Sequence, residues 1–293
     1  MKEKYFRDLL TDDISESDVI LLGIPYDLGC SCGKGASLAP KTIRELSSFL
    51  PPFTMDGKSL RNIKIYDYND VDEYSKIEEK FRDILKYNKF NLVLGGDHSV
   101  SIPTQKAFLE YCEKENKVPV IIHIDAHPDI CDYYDGSKYS HACTNMRAID
   151  NGYNTKDITL VGIRGYEEQE VVYLSKHKEL EVYNASYLNK NGFSELIKSL
   201  FERYKNSEKH LIYLSYDIDA NDPSFAPGTG TPEAFGLNSI ELLNFIIALF
   251  NNLPIKVMDI VEVSPVLDTN NITSWLALKT IYEVLGVLVD LNK

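Results

Sequence analysis

Six short apolar runs, at 18–24, 91–94, 118–124, 158–163, 211–216 and 255–263, recur along the chain with longer amphipathic segments between them. Runs of this length are strand-sized, and near-continuous apolar strands are what a parallel sheet covered on both faces requires. Weaker strand patterns fall at 63–66 and 180–183. Helical spacing begins near Pro40, where Ile43, Leu46 and Leu50 share a face, and again near Ser75, Ser101, Tyr166, Gly192, Asn238 and Ile272. This alternation predicts an α/β fold of three layers, with a mostly parallel central sheet flanked by helices on both faces. No repeat, low-complexity tract or linker-like stretch divides the chain, so one domain over residues 1–293 is expected.

Charge narrows the partners. With 31 Lys and Arg against 44 Asp and Glu, the formal net charge is −13. Nucleic acid and anionic membranes both need clustered basic residues, so neither is expected as a partner, whereas a small cationic substrate would be drawn in. The N-terminal stretch Met1-Lys2-Glu3-Lys4-Tyr5-Phe6-Arg7 carries charges where a secretory leader needs apolar residues. The apolar run at 242–250, interrupted by Asn244, falls short of the ~18 residues of a membrane helix. The expected location is cytoplasmic. Cys30, Cys32, Cys112, Cys131 and Cys143 are odd in number and lack C-x-x-C spacing, against both a disulfide framework and a structural zinc site. Reduced thiols at packing or loop positions are expected.

The candidate chemistry follows the strands. Residues His123-Ile124-Asp125-Ala126-His127-Pro128-Asp129 close the run at 118–124, and on an extended chain Asp125 and His127 point to one side, with Asp129 just beyond. Pro128 cannot donate to a ladder and marks the expected strand end. Gly95-Gly96-Asp97-His98-Ser99 follows another run, Asp217-Ile218-Asp219 ends a third, and Glu262 ends the last. Each has an ordinary structural reading alone: paired glycines make turns, aspartates cap them, and histidines such as His177 and His210 sit on surfaces or in packing. Together they place polar groups from four strands on the carboxyl edge, where open parallel sheets bind ligands. Clustering Asp125, Asp129, Asp217 and Asp219 without a cation would cost on the order of several kcal/mol in repulsion and desolvation. His123, a step deeper in the strand, is expected to support this cluster or pack beneath it.

Two histidines, His98 and His127, with four carboxylates make a nitrogen and oxygen donor set without thiolate. Such a set favours manganese, with iron, cobalt, nickel and zinc as alternatives. Six donors are too many for one ion that must also hold substrate, but suit two ions ~3.5–4 Å apart, an arrangement that draws a nucleophile from water near neutral pH. Hydrolysis is therefore expected.

Gly95 to Ser99, Asp125-Ala126-His127-x-Asp129, Ser215-x-Asp217-x-Asp219-x-x-Asp222-Pro223 and Glu262-x-x-Pro265 resemble, in order and spacing, the motifs of the ureohydrolase family of arginases and agmatinases. The likeness extends to Gly23-Ile24-Pro25-Tyr26-Asp27, to Gly35 with Pro40-Lys41-Thr42-Ile43-Arg44, and to Ala226-Pro227-Gly228-Thr229-Gly230-Thr231-Pro232-Glu233. The resemblance implies an arginase-like fold and two Mn2+ ions. His98, Asp125, Asp129 and Asp217 would hold one ion, and Asp125, His127, Asp217 and Asp219 the other. It further implies that Asp129 accepts a hydrogen bond from the attacking nucleophile. Glu262 would pair with the substrate guanidinium, and His141 would pass a proton to the departing amine. A homo-oligomer, trimer or hexamer, is implied as well.

Substrate choice rests on the loop after the metal motif. Where arginases carry a polar Asn-Thr-Pro segment for a carboxylate, this chain has Asp132, Tyr133, Tyr134, Asp135, Lys138 and Tyr139 before His141. Acids and tyrosines suit a cation or a methylene chain, so the resemblance is strongest to prokaryotic agmatinases, which convert agmatine to urea and putrescine in polyamine biosynthesis. Guanidinobutyrate, arginine and formiminoglutamate are alternative substrates, and a metal-binding pseudoenzyme regulating polyamine metabolism is the alternative from another class. Departures from the family pattern, at Cys30-Ser31-Cys32-Gly33, Pro128, Asn221, Ala234-Phe235 and Ser264, spare every ligand and surround the pocket.

Overall fold

The computed structural model describes residues 5–291, so the first four residues of the charged N-terminal stretch lie outside the described residues. Eight strands are present among them: β1 (Val19–Gly23), β2 (Ile65–Asp70), β3 (Phe90–Leu94), β4 (Val118–Ile124), β5 (Ile158–Ile163), β6 (Glu181–Asn184), β7 (His210–Asp217) and β8 (Ile255–Val261). They form one sheet in the order β2-β1-β3-β8-β7-β4-β5-β6, with every pair parallel. The helices are α1 (Ala39–Ser47), α2 (Tyr74–Leu85), α3 (Ser101–Lys114), α4 (Thr144–Asn151), α5 (Glu168–Lys176), α6 (Ala185–Asn191), α7 (Ser194–Tyr204), α8 (Ser239–Asn252) and α9 (Ile272–Leu291).

Alternate strand residues face opposite helical layers, as the pleat dictates. Ile20, Leu22, Val93, Ile121 and Val257 pack with Ile77, Phe81 and Phe108 of α2 and α3. Leu21, Leu92, Ile122, Leu214 and Met258 pack with Ile43, Leu200, Phe245 and Leu285 of α1, α7, α8 and α9. Both sheet faces are thereby buried, which is why the strands read as continuous apolar runs.

Three expectations need correction. Helices α4 and α6 were absent from the sequence pattern: they span eight and seven residues, too few for a helical period to stand out. The most membrane-like segment is α9, not the run at 242–250; its 20 residues are long and apolar enough to cross a bilayer, but 72% of its apolar window is buried inside the protein. Strand β4 ends at Ile124, four residues before Pro128, so Asp125, His127 and Asp129 belong to a turn and not to an extended strand.

Candidate metal centre

Strands β3, β8, β7 and β4 are consecutive neighbours at the centre of the sheet, and their carboxyl ends deliver His98, Glu262, Asp217 with Asp219, and Asp125 to Asp129. The turn after β3 is unusually close to the β1 loop: a Cβ on Gly96 would lie 1.7 Å from the Tyr26 carbonyl oxygen. Only glycine permits that approach. Glu262 N donates to Gly96 O (2.8 Å), so the β8 end is tied to the same turn.

His98 is buried, and its two ring nitrogens have separable roles. The Ser215 hydroxyl donates to Asp259 Oδ1 (2.8 Å) and therefore accepts from His98 Nε2 (2.9 Å). This leaves Nδ1 as the unprotonated nitrogen of the neutral ring. Nδ1 faces Asp125 Oδ2 at 2.9 Å, Asp129 Oδ2 at 3.1 Å and Asp217 Oδ2 at 3.2 Å. With the ring neutral, four lone-pair-bearing atoms converge on one point, an arrangement that either a proton on Nδ1 or a bound cation resolves. On the other side, His127 Nδ1 lies 3.2 Å from Asp219 Oδ2 and 3.5 Å from Asp125 Oδ1. Asp125 Oδ2 and Asp219 Oδ2 are buried without a hydrogen bond. These atoms fit two adjoining cation sites: His98, His123, Asp125 and Asp129 supply one convergent group, and Asp125, His127 and Asp219 the other.

The turn itself explains how His127 arrives. His127 N donates to Asp125 Oδ1 (2.6 Å), an Asx-type turn, and Ala126 N donates to Asp219 Oδ1 (3.0 Å). Asp129 and Glu262 adopt left-handed backbone, at φ 52° and 60°, a conformation non-glycine residues hold mainly where the surroundings enforce it. Asn145 of the unexpected helix α4 supplies part of that enforcement: its N donates to Asp129 O (2.8 Å) and its side chain to Pro128 O (2.9 Å).

Electrostatics follow the crowding. Burial, then the neighbouring carboxylates, push Asp129 and Asp217 well above the usual carboxylate range. Burial opposes charge on His98, but Asp125 and Asp129 outweigh it and raise the ring to about 10. Asp125 moves the other way: burial would raise it, but His123, His127 and His98 hold it well below its ordinary value. His123 stacks on His98 at 4.8 Å, and its Nε2 lies 3.0 Å from Asp125 Oδ2, so it touches the cluster directly.

Beside the cluster, Glu262 Oε1 accepts from His98 N (2.8 Å) and lies 3.1 Å from His141 Nδ1. Burial works against charge on both partners, yet their mutual contact lowers Glu262 and raises His141. Every expected site residue is therefore brought together: His98, Asp125, His127, Asp129, Asp217 and Asp219 in the cluster, with His141 and Glu262 adjoining. A cavity of about 350 Å³ opens over them, its wall including Ser31, Cys32, Tyr134, Tyr166, Glu167, Glu170 and Glu233.

Two supporting residues escaped the sequence reading. Asp259, buried in β8, accepts from Ser101 Oγ (2.6 Å), Tyr213 OH (2.6 Å), Ser215 Oγ (2.8 Å) and Tyr216 N (3.2 Å). A carboxylate inside an apolar strand was the available signal. Arg164, just past β5, donates to the carbonyls of Asp219 (2.7 Å), Glu233 (2.8 Å) and Ala234 (3.1 Å), clasping the outer loop to the Asp219 turn. Because Asp259 orients Ser215 and thereby His98, Asp259→Asn should weaken metal binding about 10–100-fold. Metal titration of the folded variant checks this.

The family model "Arginase family" matches residues 17–286, and the chain belongs to the arginase family. It is thus a hydrolase of C–N bonds in guanidino compounds, from a family of binuclear metal enzymes. Among curated relatives, it is 31% identical over 289 residues to a guanidinobutyrase of Pseudomonas aeruginosa, covering 94% of this chain and 88% of that protein. It is 33% identical over 283 residues to an agmatinase of Bacillus anthracis, covering 92% and 91%. Among solved structures, a hypothetical agmatinase from Burkholderia thailandensis superposes with TM-score 0.85 at 28% identity, over 99% of this chain and 91% of that one.

Proposed function

We propose that the chain hydrolyses the guanidinium group of agmatine, releasing urea and putrescine. The observation that carries this choice is the charge on the cavity wall, where Glu167, Glu170 and Glu233 stand and, among the described residues, no Lys or Arg lines it. Agmatine ends in an amine. Guanidinobutyrate, arginine and formiminoglutamate each present a carboxylate, which would meet this wall as a like charge.

In this reading His98, Asp125, Asp129 and Asp217 would hold one Mn2+ ion, and Asp125, His127, Asp217 and Asp219 a second. Two imidazoles and four carboxylates with no thiolate support that metal. When bound, the ions would supply a nucleophile from water near neutral pH. Glu262, kept ionised by His141, would pair with the guanidinium, and Asp129 would accept a hydrogen bond from the nucleophile. His141 would give a proton to the departing amine nitrogen, a task imidazole performs well near neutral pH. The same reading takes the chain as one domain of a cytoplasmic homo-oligomer, trimer or hexamer.

The test is urea release from agmatine, guanidinobutyrate, arginine and formiminoglutamate by manganese-loaded protein. Agmatine is expected to dominate, and strong turnover of a carboxylate-tailed compound without agmatine would overturn the choice. Glu233, whose Oε1 lies 3.8 Å from His127 Nε2, lines the cavity beside the cluster and in this reading would face the substrate's tail. Its side chain is 44% exposed, so Glu233→Gln should raise the agmatine KM about 2- to 5-fold, as for a solvent-screened ion pair, and leave kcat nearly unchanged.

A further inference from the structure

The loop at 27–35 reaches over the site from the end of β1 and is held there by more than its own turns. Asp97 Oδ2 accepts from Gly29 N (2.7 Å), and Gly29 O accepts in turn from His141 N (3.0 Å) and Ser140 Oγ (3.2 Å). A Cβ on Gly29 would lie 2.4 Å from Ser99 Oγ, so the loop lies against the His98 turn at a distance only glycine permits. This fastening brings Ser31 onto His141. Ser31 N lies 3.3 Å and Ser31 Oγ 3.1 Å from His141 Nε2, while Glu262 occupies the other ring nitrogen.

We propose that Ser31 is a positioning residue that holds His141 by Nε2 in both of its protonation states, so that its proton is presented to the cavity. The two Ser31 groups are not equivalent. The backbone N–H can only donate, and so serves the neutral ring, whose Nδ1–H points at the Glu262 carboxylate. The hydroxyl can donate to the neutral ring and accept from the imidazolium Nε2–H. Ser31 lines the cavity beside His141, so this second nitrogen is the one from which a proton can leave. The proposal rests on the reading of His141 as the proton donor to the departing amine.

The groups that act on this ring come from several elements. Glu262 after β8 contacts it, Asp97 after β3 favours its charged form, and His127 after β4 disfavours it. The Tyr134 ring lies 6.5 Å away, edge-on. None of these faces Nε2 with a hydrogen-bond acceptor, which makes the Ser31 hydroxyl the group whose removal should be felt.

Ser31→Ala loses the hydroxyl but keeps the backbone N–H, so the neutral ring retains a donor at Nε2 while the imidazolium loses its acceptor there, and the balance should tip toward the neutral ring. The rate requires a protonated His141, so the alkaline limb of the kcat profile should move to lower pH by about one unit, with up to about tenfold loss of kcat above that limb. KM and metal content should stay near wild type, and Ser31→Thr should restore the limb. Ring-nitrogen NMR of [15N]histidine-labelled, zinc-loaded protein should show the same downward shift in His141 titration. An unmoved limb and an unmoved ring titration in Ser31→Ala would overturn the proposal. Full activity of His141→Asn would instead remove the proton-donor reading, and the ring titration would still decide whether Ser31 governs the protonation of His141.

Discussion

Asp125→Asn should leave a folded protein that binds at most one metal ion per chain and hydrolyses guanidino substrates more than about a hundredfold slower. Loss of a residue that merely orients a metal ligand typically costs about 10–100-fold, and Asp125 stands nearer the chemistry than that. Its Oδ2 faces the His98 group and its Oδ1 the His127 group, and it is common to the two convergent groups found among the described residues. An amide keeps the size and the bond from His127 N but presents one neutral oxygen in place of two anionic ones. Metal content by mass spectrometry and urea release measured on the same preparation check the two halves separately. Unchanged occupancy would refute the shared-ligand role even if activity fell.

The legibility of this site in the sequence has a physical origin. Ligands at strand ends leave a local signature, because an apolar run must stop where a polar group emerges. His98, Asp125, Asp217 and Glu262 could therefore be placed from the run boundaries alone, and the observed sheet makes their strands neighbours. What the runs did not encode is direction beyond the strand. His127 reaches the cluster through the turn closed on Asp125 Oδ1, whereas period-two alternation would have placed it by extension. Supporting residues were harder still. Arg164 acts through carbonyls of residues some 55 to 70 positions away, and no spacing rule reports a contact of that kind. Asp259 is the intermediate case, an acid out of place in an apolar strand, whose meaning depends on which hydroxyls the neighbouring β7 brings to it. Ser31 likewise became informative only once the fastening through Gly29 set its loop against His141.

Chelation should lower the melting temperature by about 10–20 °C at pH 8 to 9, and by much less near pH 5. Two ions present at about a thousand times their dissociation constants would stabilise the fold by about 4 kcal/mol each. At a few degrees per kcal/mol for a chain of this size, that gives the upper figure. The pH dependence follows from which state holds protons. In the protein without added cation, Asp129 and Asp217 are raised above their ordinary 3.8, and His98 is raised from 6.5 to about 10, with His127 raised as well. The folded chelated chain therefore binds more protons than the unfolded one. Its share of stability from these groups is fully present below their unfolded values and is lost as pH climbs through the folded ones. Metal ions displace those same protons, because ligating imidazole must be neutral and ligating carboxyl groups ionised. Metal affinity consequently rises over the range in which the chelated protein weakens. The gap between the two melting curves should widen steadily from pH 5 to pH 9, and calorimetry of matched samples measures it. A gap that stayed constant or narrowed would mean that the crowded carboxylates and histidines are not the groups the metal engages, since proton and metal would then not be competing for the same atoms.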